Sequence, residues 1–169
     1  MIDPKQMREY FRPSLEYPEI PYHFLLKETV KKYPEKDAIT FKGQRITFRE
    51  LDALSNSLAN ALAAKGVSRG DIVALYMTNR PEYVISFYAV AKLGAISTPM
   101  NPSYKEKEVE HQIKDSEAKA IITTQSLYPV VRSVLERVAG VKIVVIGDKS
   151  EEGYDLFRDL INKYPAKSP

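Results

Sequence analysis

The sequence predicts an α/β fold with a mainly parallel sheet and helices on both of its faces. Strand-like and helix-like segments alternate four times between residues 71 and 146, with short connections between them. The run 71–77 is apolar without alternation, which is typical of a strand that is covered on both faces. This order predicts βαβ crossovers, because parallel neighbours need a connection long enough to hold a helix.

Residues 1–21 are predicted to form an extended N-terminal arm. They contain isolated aromatic residues and several prolines, without a helical or strand-like period. The prolines are Pro4, Pro13, Pro18 and Pro21. A short amphipathic helix follows from residue 22 and ends at Pro34. The predicted α/β unit spans residues 22–164, and residues 165–169 form a tail.

A β-hairpin and a capped helix are predicted next. Residues 38–41 and 45–48 flank a turn in which Gly43 supplies the positive φ. Thr47 and Glu50 have the spacing of a capping box, in which a hydroxyl and a carboxylate satisfy backbone N–H groups at a helix start. The helix continues through a leucine stripe at helical spacing and ends at a glycine. The stripe consists of Leu51, Leu54, Leu58 and Leu62.

The middle of the chain predicts one buried helix between two strands. Pro81 lies in the first turn of a helix that is apolar almost all round between residues 83 and 91. Such a helix should be buried between layers rather than lie on a surface. The strand before it is the run 71–77, and residues 95–99 form the strand after it.

The alternation continues to the end of the unit. Ser103 and Glu106 give a second capping-box signature, which predicts a helix over residues 104–116 with Val109 and Ile113 on its apolar face. The remaining predicted elements are a strand at 119–123, a helix at 127–138, a strand at 141–146 and a last helix through Phe157, Leu160, Ile161 and Tyr164.

Composition excludes several classes of function. The net charge of +3 arises from 25 basic and 22 acidic side chains spread along the chain, so nucleic acid is not predicted as a partner. The absence of cysteine excludes disulfides and thiolate chemistry, and favours a reducing cytoplasm. The longest apolar stretch is bracketed by Glu82 and Lys92, so no transmembrane segment is predicted.

The usual chemistry of a nucleotide site is missing from the sequence. Nucleotide phosphates are commonly held by a glycine-rich turn at a helix N-terminus. The seven glycines match neither the dinucleotide-binding fingerprint nor the spacing of a P-loop. His111 and Asp115 could act together on one helix face as base and orienter, but a solvated polar face is the favoured interpretation. His23 is expected to be packed against its aromatic neighbour. No catalytic residue and no metal site are therefore predicted in this chain.

Five short motifs, in one order, resemble the start of the AMP-forming acyl-CoA synthetases, the adenylate-forming ligases. The motifs are ITFREL at 46–51, GVSRGDIVA at 66–74, NRPEY at 79–83, KLGA at 92–95, and DS at 115–116 before AIIT at 120–123. Asn101-Pro102 resembles the form of this loop found in CoA ligases rather than in peptide-synthetase domains. The stretch 108–116 is particularly similar to fatty-acyl-CoA synthetases.

The resemblance implies the first part of the large N-terminal domain of a fatty-acid CoA ligase. Its expected substrate is a medium- or long-chain carboxylic acid, with an aryl acid as the alternative. The full-length enzyme uses ATP, Mg²⁺ and CoA: the carboxylate attacks the α-phosphate of ATP, and CoA then displaces AMP from the acyl-adenylate.

The same resemblance implies that this chain alone is inactive. In the family a phosphate loop, a ribose-binding Asp and a Lys of a mobile C-terminal domain carry the reaction, and this sequence contains none of the three. The chain is therefore expected to hold none of these cofactors by itself. Its expected partner is the remainder of its own chain. The carboxylic acid is expected to be the small-molecule ligand of the full-length enzyme.

The resemblance also assigns one loop to the CoA side of the family's active cleft. The loop is Met100-Asn101-Pro102, and Arg132 is the nearest basic residue in the helix after the next strand. The alternative for the loop is a rigid connector, since Pro99 and Pro102 both fix φ. The alternative for Arg132 is a solvated surface arginine.

A second hypothesis of a different class is a complete small protein without catalysis, an adenylation-like scaffold used for binding or assembly. A reading frame that continues past Pro169 would favour the ligase hypothesis. Under the ligase hypothesis, by contrast, the domain stops before its remaining strands and helices and leaves apolar area exposed. The isolated chain is therefore expected to self-associate, with a homodimer as one form.

Overall fold

The computed structural model of the protein describes residues 19–147, 149 and 153–169. Residues 1–18, which make up most of the predicted arm, lie outside the described residues. The first helix, α1 (His23–Lys32), ends just before Pro34. This end agrees with the sequence, because the residue before a proline is disfavoured in helical conformation.

The predicted hairpin is confirmed. Its strands β1 (Asp37–Phe41) and β2 (Gln44–Thr47) pair in antiparallel orientation. The two residues between them, Lys42 and Gly43, have φ values of 48° and 81°. Two successive positive φ values are typical of the tight turns whose twist matches that of the strands they join.

The predicted capping box is also confirmed. At the start of α2 (Phe48–Ala64), the Glu50 N–H donates to Thr47 Oγ1 at 3.2 Å, and the Thr47 N–H donates to Glu50 Oε2 at 2.8 Å. The helix then buries three of the four leucines of its stripe and leaves the fourth, Leu54, half-buried. The buried ones are Leu51, Leu58 and Leu62.

The main sheet has five parallel strands, which confirms the predicted fold class. The strands are β3 (Ile72–Tyr76), β4 (Ile96–Met100), β5 (Ala120–Thr124), β6 (Lys142–Ile146) and β7 (Asp155–Leu156). Their order across the sheet is β4-β3-β5-β6-β7. β7 was not predicted, because a strand of two residues is too short to show a period in the sequence.

Helices cover both faces of this sheet, as predicted. One face carries α1 and α2 together with α3 (Pro81–Lys92) and α6 (Phe157–Lys163). The other face carries α4 (Glu106–Ser116) and α5 (Tyr128–Leu135). In the part of the chain that the structure describes, none of these helices is both long enough and apolar enough to cross a membrane.

Each face of the sheet therefore has its own hydrophobic core. Val73 and Leu75 of β3 enter the core under α1, α2, α3 and α6, whereas Ala74 and Tyr76 enter the core under α4 and α5. All of these side chains are fully buried. Burial on both faces explains why this strand is apolar without alternation.

α3 is the buried helix that the sequence predicts. No residue between Pro81 and Lys92 is exposed. Its side chains Ile85, Ala89 and Val90 belong to the core on the face of the sheet that α1, α2, α3 and α6 cover. The helix packs against α2 on one side and against the sheet on the other. For this reason even Glu82 and Lys92, the charged residues at its two ends, are partly buried.

The start of α4 differs from the prediction. Ser103 does not cap the helix: its backbone N–H donates to Asn101 Oδ1 at 2.9 Å, which closes a local turn. The helix begins two residues later than predicted, at residue 106, where the Lys105 N–H donates to the Glu108 carboxylate at 3.0 Å. The side-chain amide of Asn101 reaches two residues along the chain and so holds Ser103 in a turn rather than at a helix start.

A buried ammonium group fixes the C-terminal end of α3 to α2. The side chain of Lys92 is only 6% exposed. Its Nζ lies 2.7 Å from each of Asp52 Oδ1, Ser55 Oγ and Asn56 Oδ1 and 2.9 Å from the Asp52 carbonyl oxygen, so three N–H donors are shared among four acceptors. Burial lowers the pKa of Lys92, while the hydrogen bond to Asp52 and the charge of that carboxylate act in the opposite direction.

The predicted tail lies against α2 as well. Asn56 Nδ2 donates to the carbonyl of Ala166 at 2.9 Å. One turn further along, Asn60 Nδ2 donates to the carbonyls of Pro165 at 2.9 Å and Lys167 at 2.8 Å. Because Asn56 uses its oxygen on the ammonium group and its nitrogen on the tail, the two contacts form one polar network.

Replacing Thr47 by alanine should lower the free energy of unfolding by about 1 kcal/mol, since an N-cap hydroxyl is lost. The matched control is Ser103→Ala, which should have almost no effect because Ser103 uses only its backbone N–H in the turn. Urea unfolding followed by circular dichroism measures both. Equal losses for the two variants would contradict the observed helix starts.

Replacing Asp52 by alanine should lower the free energy of unfolding by about 3 kcal/mol, because Lys92 would stay buried without its carboxylate partner. This value lies near the lower end of the free-energy losses that follow removal of one partner of a buried ion pair. Lys92→Met should cost less, since it removes the buried charge and leaves the carboxylate of Asp52, whose side chain is 29% exposed and can be hydrated. The comparison uses the same urea unfolding experiment. A larger loss for Lys92→Met than for Asp52→Ala would show that the ammonium group stabilises the fold by itself.

Candidate functional site

The order of the strands produces a crevice at one edge of the sheet. From β3 the chain passes through α3 on one face, whereas from β5 it passes through α5 on the other face. β3 and β5 are parallel neighbours, so both connections start at the carboxyl ends of their strands. One connection leads to β4 on one side of this strand pair, and the other leads to β6 on the opposite side. Ligands of open α/β sheets bind in the crevice at such a change of direction. The space at the carboxyl ends of β3, β5 and β6 is called the switch-point crevice below, and it is bounded by Arg80, Gln125 and Gly147.

A cavity of about 590 Å³ occupies the switch-point crevice. Most of its wall is apolar and comes from the hairpin, α2, α3 and α6. The apolar side chains include Phe41, Ile46, Leu54, Ile85, Phe157 and Ile161. The wall also carries polar and charged side chains, among them Gln44, Thr124 and Ser126. A cavity of this volume lies within the range of small-molecule sites.

An arginine and a glutamate stand on either side of Pro81 in the wall of this cavity. Arg80 Nε donates to Glu82 Oε2 at 2.8 Å, and Arg80 Nη2 donates to Glu82 Oε1 at 3.0 Å. The two side chains are 30% and 25% exposed. Burial acts to raise the pKa of Glu82, but hydrogen bonds from Arg80 and from its own backbone N–H, with the charge of Arg80, hold it below its usual value.

The far wall of the cavity is formed by the ends of β5 and β6. The Gln125 N–H donates to the carbonyl of Ile146 at 3.0 Å, and the hydroxyls of Thr124 and Ser126 lie 3.0 Å apart. A Cβ atom at Gly147 would lie only 2.6 Å from Gln125 Oε1. Glycine is thus required at this position for the two strand ends to approach each other.

The predicted CoA loop lies outside the switch-point crevice, at the end of the edge strand β4. Met100 is buried, Pro102 is half-buried and Asn101 is exposed. The loop is supported from below, because the Tyr76 hydroxyl donates to the carbonyl of Tyr104 at 2.6 Å. An exposed amide on a supported turn is accessible to a ligand.

Arg132 lies on a different element from this loop, on α5. Arg132 is exposed on α5 and lines a depression of about 290 Å³ with Tyr128, Ser133 and Glu136. The loop residues 100–102 are not part of its wall, and β3 separates β4 from β5 in the sheet.

The two histidines occupy the positions that the sequence favours. His111 and Asp115 are both exposed on the outer face of α4, in a depression with Lys107, Glu110 and Lys114. The ring of His23 packs 5.0 Å from that of Phe24. Within residues 19–147, 149 and 153–169, no group of three or more His, Cys, Asp or Glu side chains is arranged to hold a metal ion.

A family model described as "AMP-binding enzyme" matches residues 26–165, which is most of the chain. The chain belongs to the AMP-binding enzyme family. The predicted resemblance to adenylate-forming ligases is thereby confirmed.

Individual members of the AMP-binding family support the same assignment. The chain is 37% identical over 105 residues to a long-chain-fatty-acid–CoA ligase of Bacillus subtilis, which covers 62% of this chain and 19% of the ligase. It is 38% identical over 112 residues to tyrocidine synthase 2 of Brevibacillus parabrevis, which covers 66% of this chain and 3% of the synthase. The chain therefore spans about a fifth or less of the length of these relatives.

Solved structures agree in fold over most of the chain. An anthranilate CoA ligase in complex with anthranoyl-AMP superposes with a TM-score of 0.84 and 31% identity, covering 88% of this chain and 29% of that one. A long-chain-fatty-acid-CoA ligase from Archaeoglobus fulgidus gives a TM-score of 0.81 and 29% identity, covering 91% and 32%. The fold is thus that of the N-terminal domain of adenylate-forming ligases.

The pairing of Arg80 with Glu82 in this AMP-binding chain was not predicted from the sequence. The residues after β3 form no glycine-rich phosphate turn, which is the pattern that usually marks a ligand site at this position. A signal was nevertheless available. A charged residue on each side of a helix-initiating proline, directly after a buried strand, places both charges at the edge of the sheet where ligands bind.

Replacing Glu82 by glutamine should lower the stability of the AMP-binding chain by about 1 kcal/mol at neutral pH. Because the folded pKa of Glu82 lies below its usual 4.5, the carboxylate contributes stability above that pH. This contribution is lost as the pH falls through the folded pKa, so the difference between wild type and variant should vanish in acid. Urea unfolding across this pH range measures the difference, and a difference independent of pH would contradict the pairing.

Proposed function

We propose that the chain is the first part of the large domain of an ATP-dependent CoA ligase that activates a medium- or long-chain fatty acid. The observation that carries the proposal is the match in fold and sequence to CoA ligases along nearly the whole chain. The fatty-acid assignment draws its support from the Bacillus subtilis ligase and the Archaeoglobus fulgidus ligase, together with the motif at residues 108–116.

In this proposal the chain supplies a scaffold and one wall of the active cleft. The reaction joins a carboxylate to the α-phosphate of ATP with loss of pyrophosphate, and CoA then takes the acyl group with release of AMP. The charge that builds on phosphoryl oxygens needs donors and cations. The sequence contains no glycine-rich phosphate turn, and no group of three or more His, Cys, Asp or Glu side chains lies together among the described residues. In this proposal the remainder of the ligase supplies the phosphate turn and the metal ligands. The proposed location is the cytoplasm.

The loop Met100-Asn101-Pro102 is proposed to face CoA in the whole enzyme. Its support is the exposure of Asn101 and the rigidity of the turn, which Pro102 and the Asn101–Ser103 hydrogen bond both maintain. Arg132 is proposed as the basic residue on the CoA side of the whole enzyme, and a solvated surface arginine is the alternative. The alternative for the loop is a rigid connector.

An aryl-CoA ligase is the second candidate function. The anthranilate CoA ligase superposes as well as the fatty-acid ligase and is similarly identical in sequence. A small non-catalytic adenylation-like scaffold, used for binding or assembly, is the third candidate.

The chain of 169 residues should not catalyse exchange of pyrophosphate into ATP with any acid. Each backbone N–H donor to a charged phosphate is worth about 1.5–3 kcal/mol, and the loop that supplies several of them is missing. A ligase that carries this chain as its N-terminal part should show exchange with octanoate and palmitate. Exchange only with benzoate or anthranilate would favour the aryl alternative, and exchange by the isolated chain would contradict the proposal.

In such a ligase, Asn101→Phe should raise the KM for CoA and leave the adenylation half-reaction unchanged. A bulky side chain on the loop removes ground-state binding of CoA without touching the first step. The matched control is Asn101→Asp, which keeps the oxygen that accepts the Ser103 N–H. Separate measurement of the two half-reactions decides: equal loss in both, or loss in neither, would identify the loop as a connector.

A further inference from the structure

We propose that the contact of α1 with α2 and α3 is a pH-sensitive switch centred on His23: α1 stays docked while the imidazole is neutral and opens when the ring takes up a proton. Opening means that α1 leaves the other two helices while the parallel sheet stays folded. Neither the CoA loop nor the switch-point crevice takes part, so the switch is independent of the proposed ligase activity.

α1 is held to the rest of the chain by little buried surface. It packs against α2 and α3, but Leu26 is the one fully buried side chain among its ten residues, and Val30 is half-buried. Its first turn contains no acidic residue, and no side chain caps its N-terminus. An element with so few buried apolar contacts opens locally at a lower free-energy cost than the whole fold. A small change in charge can therefore alter how often α1 is open.

His23 lies where α1 meets the C-terminal end of α3. It is the first residue of α1, and its ring forms a hydrogen bond with the backbone of Ala91. The other ring nitrogen, Nδ1, is buried and has no hydrogen-bond partner among the described residues. A neutral imidazole carries one hydrogen on nitrogen, which the contact with Ala91 places on Nε2. Protonation adds a hydrogen to Nδ1 and so creates a buried donor without an acceptor.

The charges that act on His23 are positive. Burial lowers the pKa of His23, the charges of Lys92 and Lys27 lower it further, and the hydrogen bond with the Ala91 backbone acts in the opposite direction. A protonated ring would also place a positive charge on the first residue of a helix, where the helix dipole is itself positive. Docking of α1 therefore favours the neutral ring.

The acidic groups of the two neighbouring helices are already engaged. In α2, Glu50 closes the capping box, and Asp52 binds the ammonium group of Lys92. The acidic residue of α3, Glu82, lies at the opposite end of that helix and binds Arg80. Among the described residues of these helices, no carboxylate is left to pair with a protonated His23.

The remaining charged side chains of α1 and α2 do not supply a counter-charge either. Arg49 of α2 pairs with Glu35. On α1, Glu28 pairs with Lys31 at 2.6 Å, and Lys32 is exposed. The two tyrosines of α3 are neutral below pH 8. A proton on His23 thus adds to a positive surrounding.

The direction of the pH effect follows from the two forms of α1. Because the pKa of His23 in the docked form lies below the ordinary value of 6.5, the open form takes up the proton more readily. The docked form is therefore most favoured above pH 6.5 and loses stability as the pH falls below that value, until the pH reaches the docked pKa. Between pH 7.5 and pH 5.5 the open fraction can rise by at most about ten-fold.

Amide hydrogen exchange of the 169-residue chain tests the switch, measured by NMR at pH 7.5 and pH 5.5 and corrected for the intrinsic pH dependence of exchange. The protection factors of the α1 amides should fall about three- to ten-fold, whereas those of β5 should not change. His23→Gln has no titratable ring and should give equal α1 protection at both pH values. The matched control is His111→Gln, which removes the other histidine of the chain, exposed on α4, and should keep the pH dependence.

Titration of the imidazole C2–H signals of the wild-type chain keeps the test independent of how well a variant folds. His23 should titrate below pH 6.5. Circular dichroism verifies that each variant is folded. A His23 that titrates at or above pH 6.5, equal α1 protection of the wild type at both pH values, an equal loss in folded His23→Gln, or an equal loss in β5 would each overturn the proposal.

Discussion

The ammonium group of Lys92 is enclosed by four oxygen atoms from one face of α2, and the position of α3 depends on this contact. α3 has 12 residues and is therefore a rigid rod of about 18 Å. Lys92 fixes one end of the rod, and Pro81 begins the other. Since Arg80 and Glu82 flank that proline, the buried cation at one end sets where the charges of the switch-point crevice lie at the other.

This arrangement explains why charged side chains bracket the most apolar helix of the protein. Neither end of α3 projects freely into solvent: Lys92 is enclosed, and Glu82 shares two hydrogen bonds with Arg80. A buried charge is tolerated only where its partners replace water. The cost of burying these groups is offset by pairing, and the pairing gives the helix a single register between α2 and the sheet.

Local sequence patterns predicted much of the fold, because the deciding interactions span three or four residues. Thr47 and Glu50 cap α2 as their spacing indicates, and the apolar run 71–77 contains a doubly covered strand. The prediction was wrong where two local interactions compete, since the amide of Asn101 holds Ser103 in a turn that the capping spacing does not reveal. The cavity was not predicted, because it depends on the order of the strands across the sheet, which a local pattern does not contain. The role of the CoA loop stays a prediction.

The contacts between α2 and the tail have a consequence for biosynthesis. Asn60 and Pro165 are separated by 105 positions in the sequence. A ribosome adds about 5–20 residues per second, so the tail follows α2 by about 5–20 s. During that interval Asn60 lacks its native acceptors, and Asn56 keeps only the part of its network that Lys92 supplies. The contact between α2 and α3 can therefore form while the polypeptide is still being made, whereas the hydrogen bonds from Asn56 and Asn60 to the tail form only after residues 165–167 have left the exit tunnel.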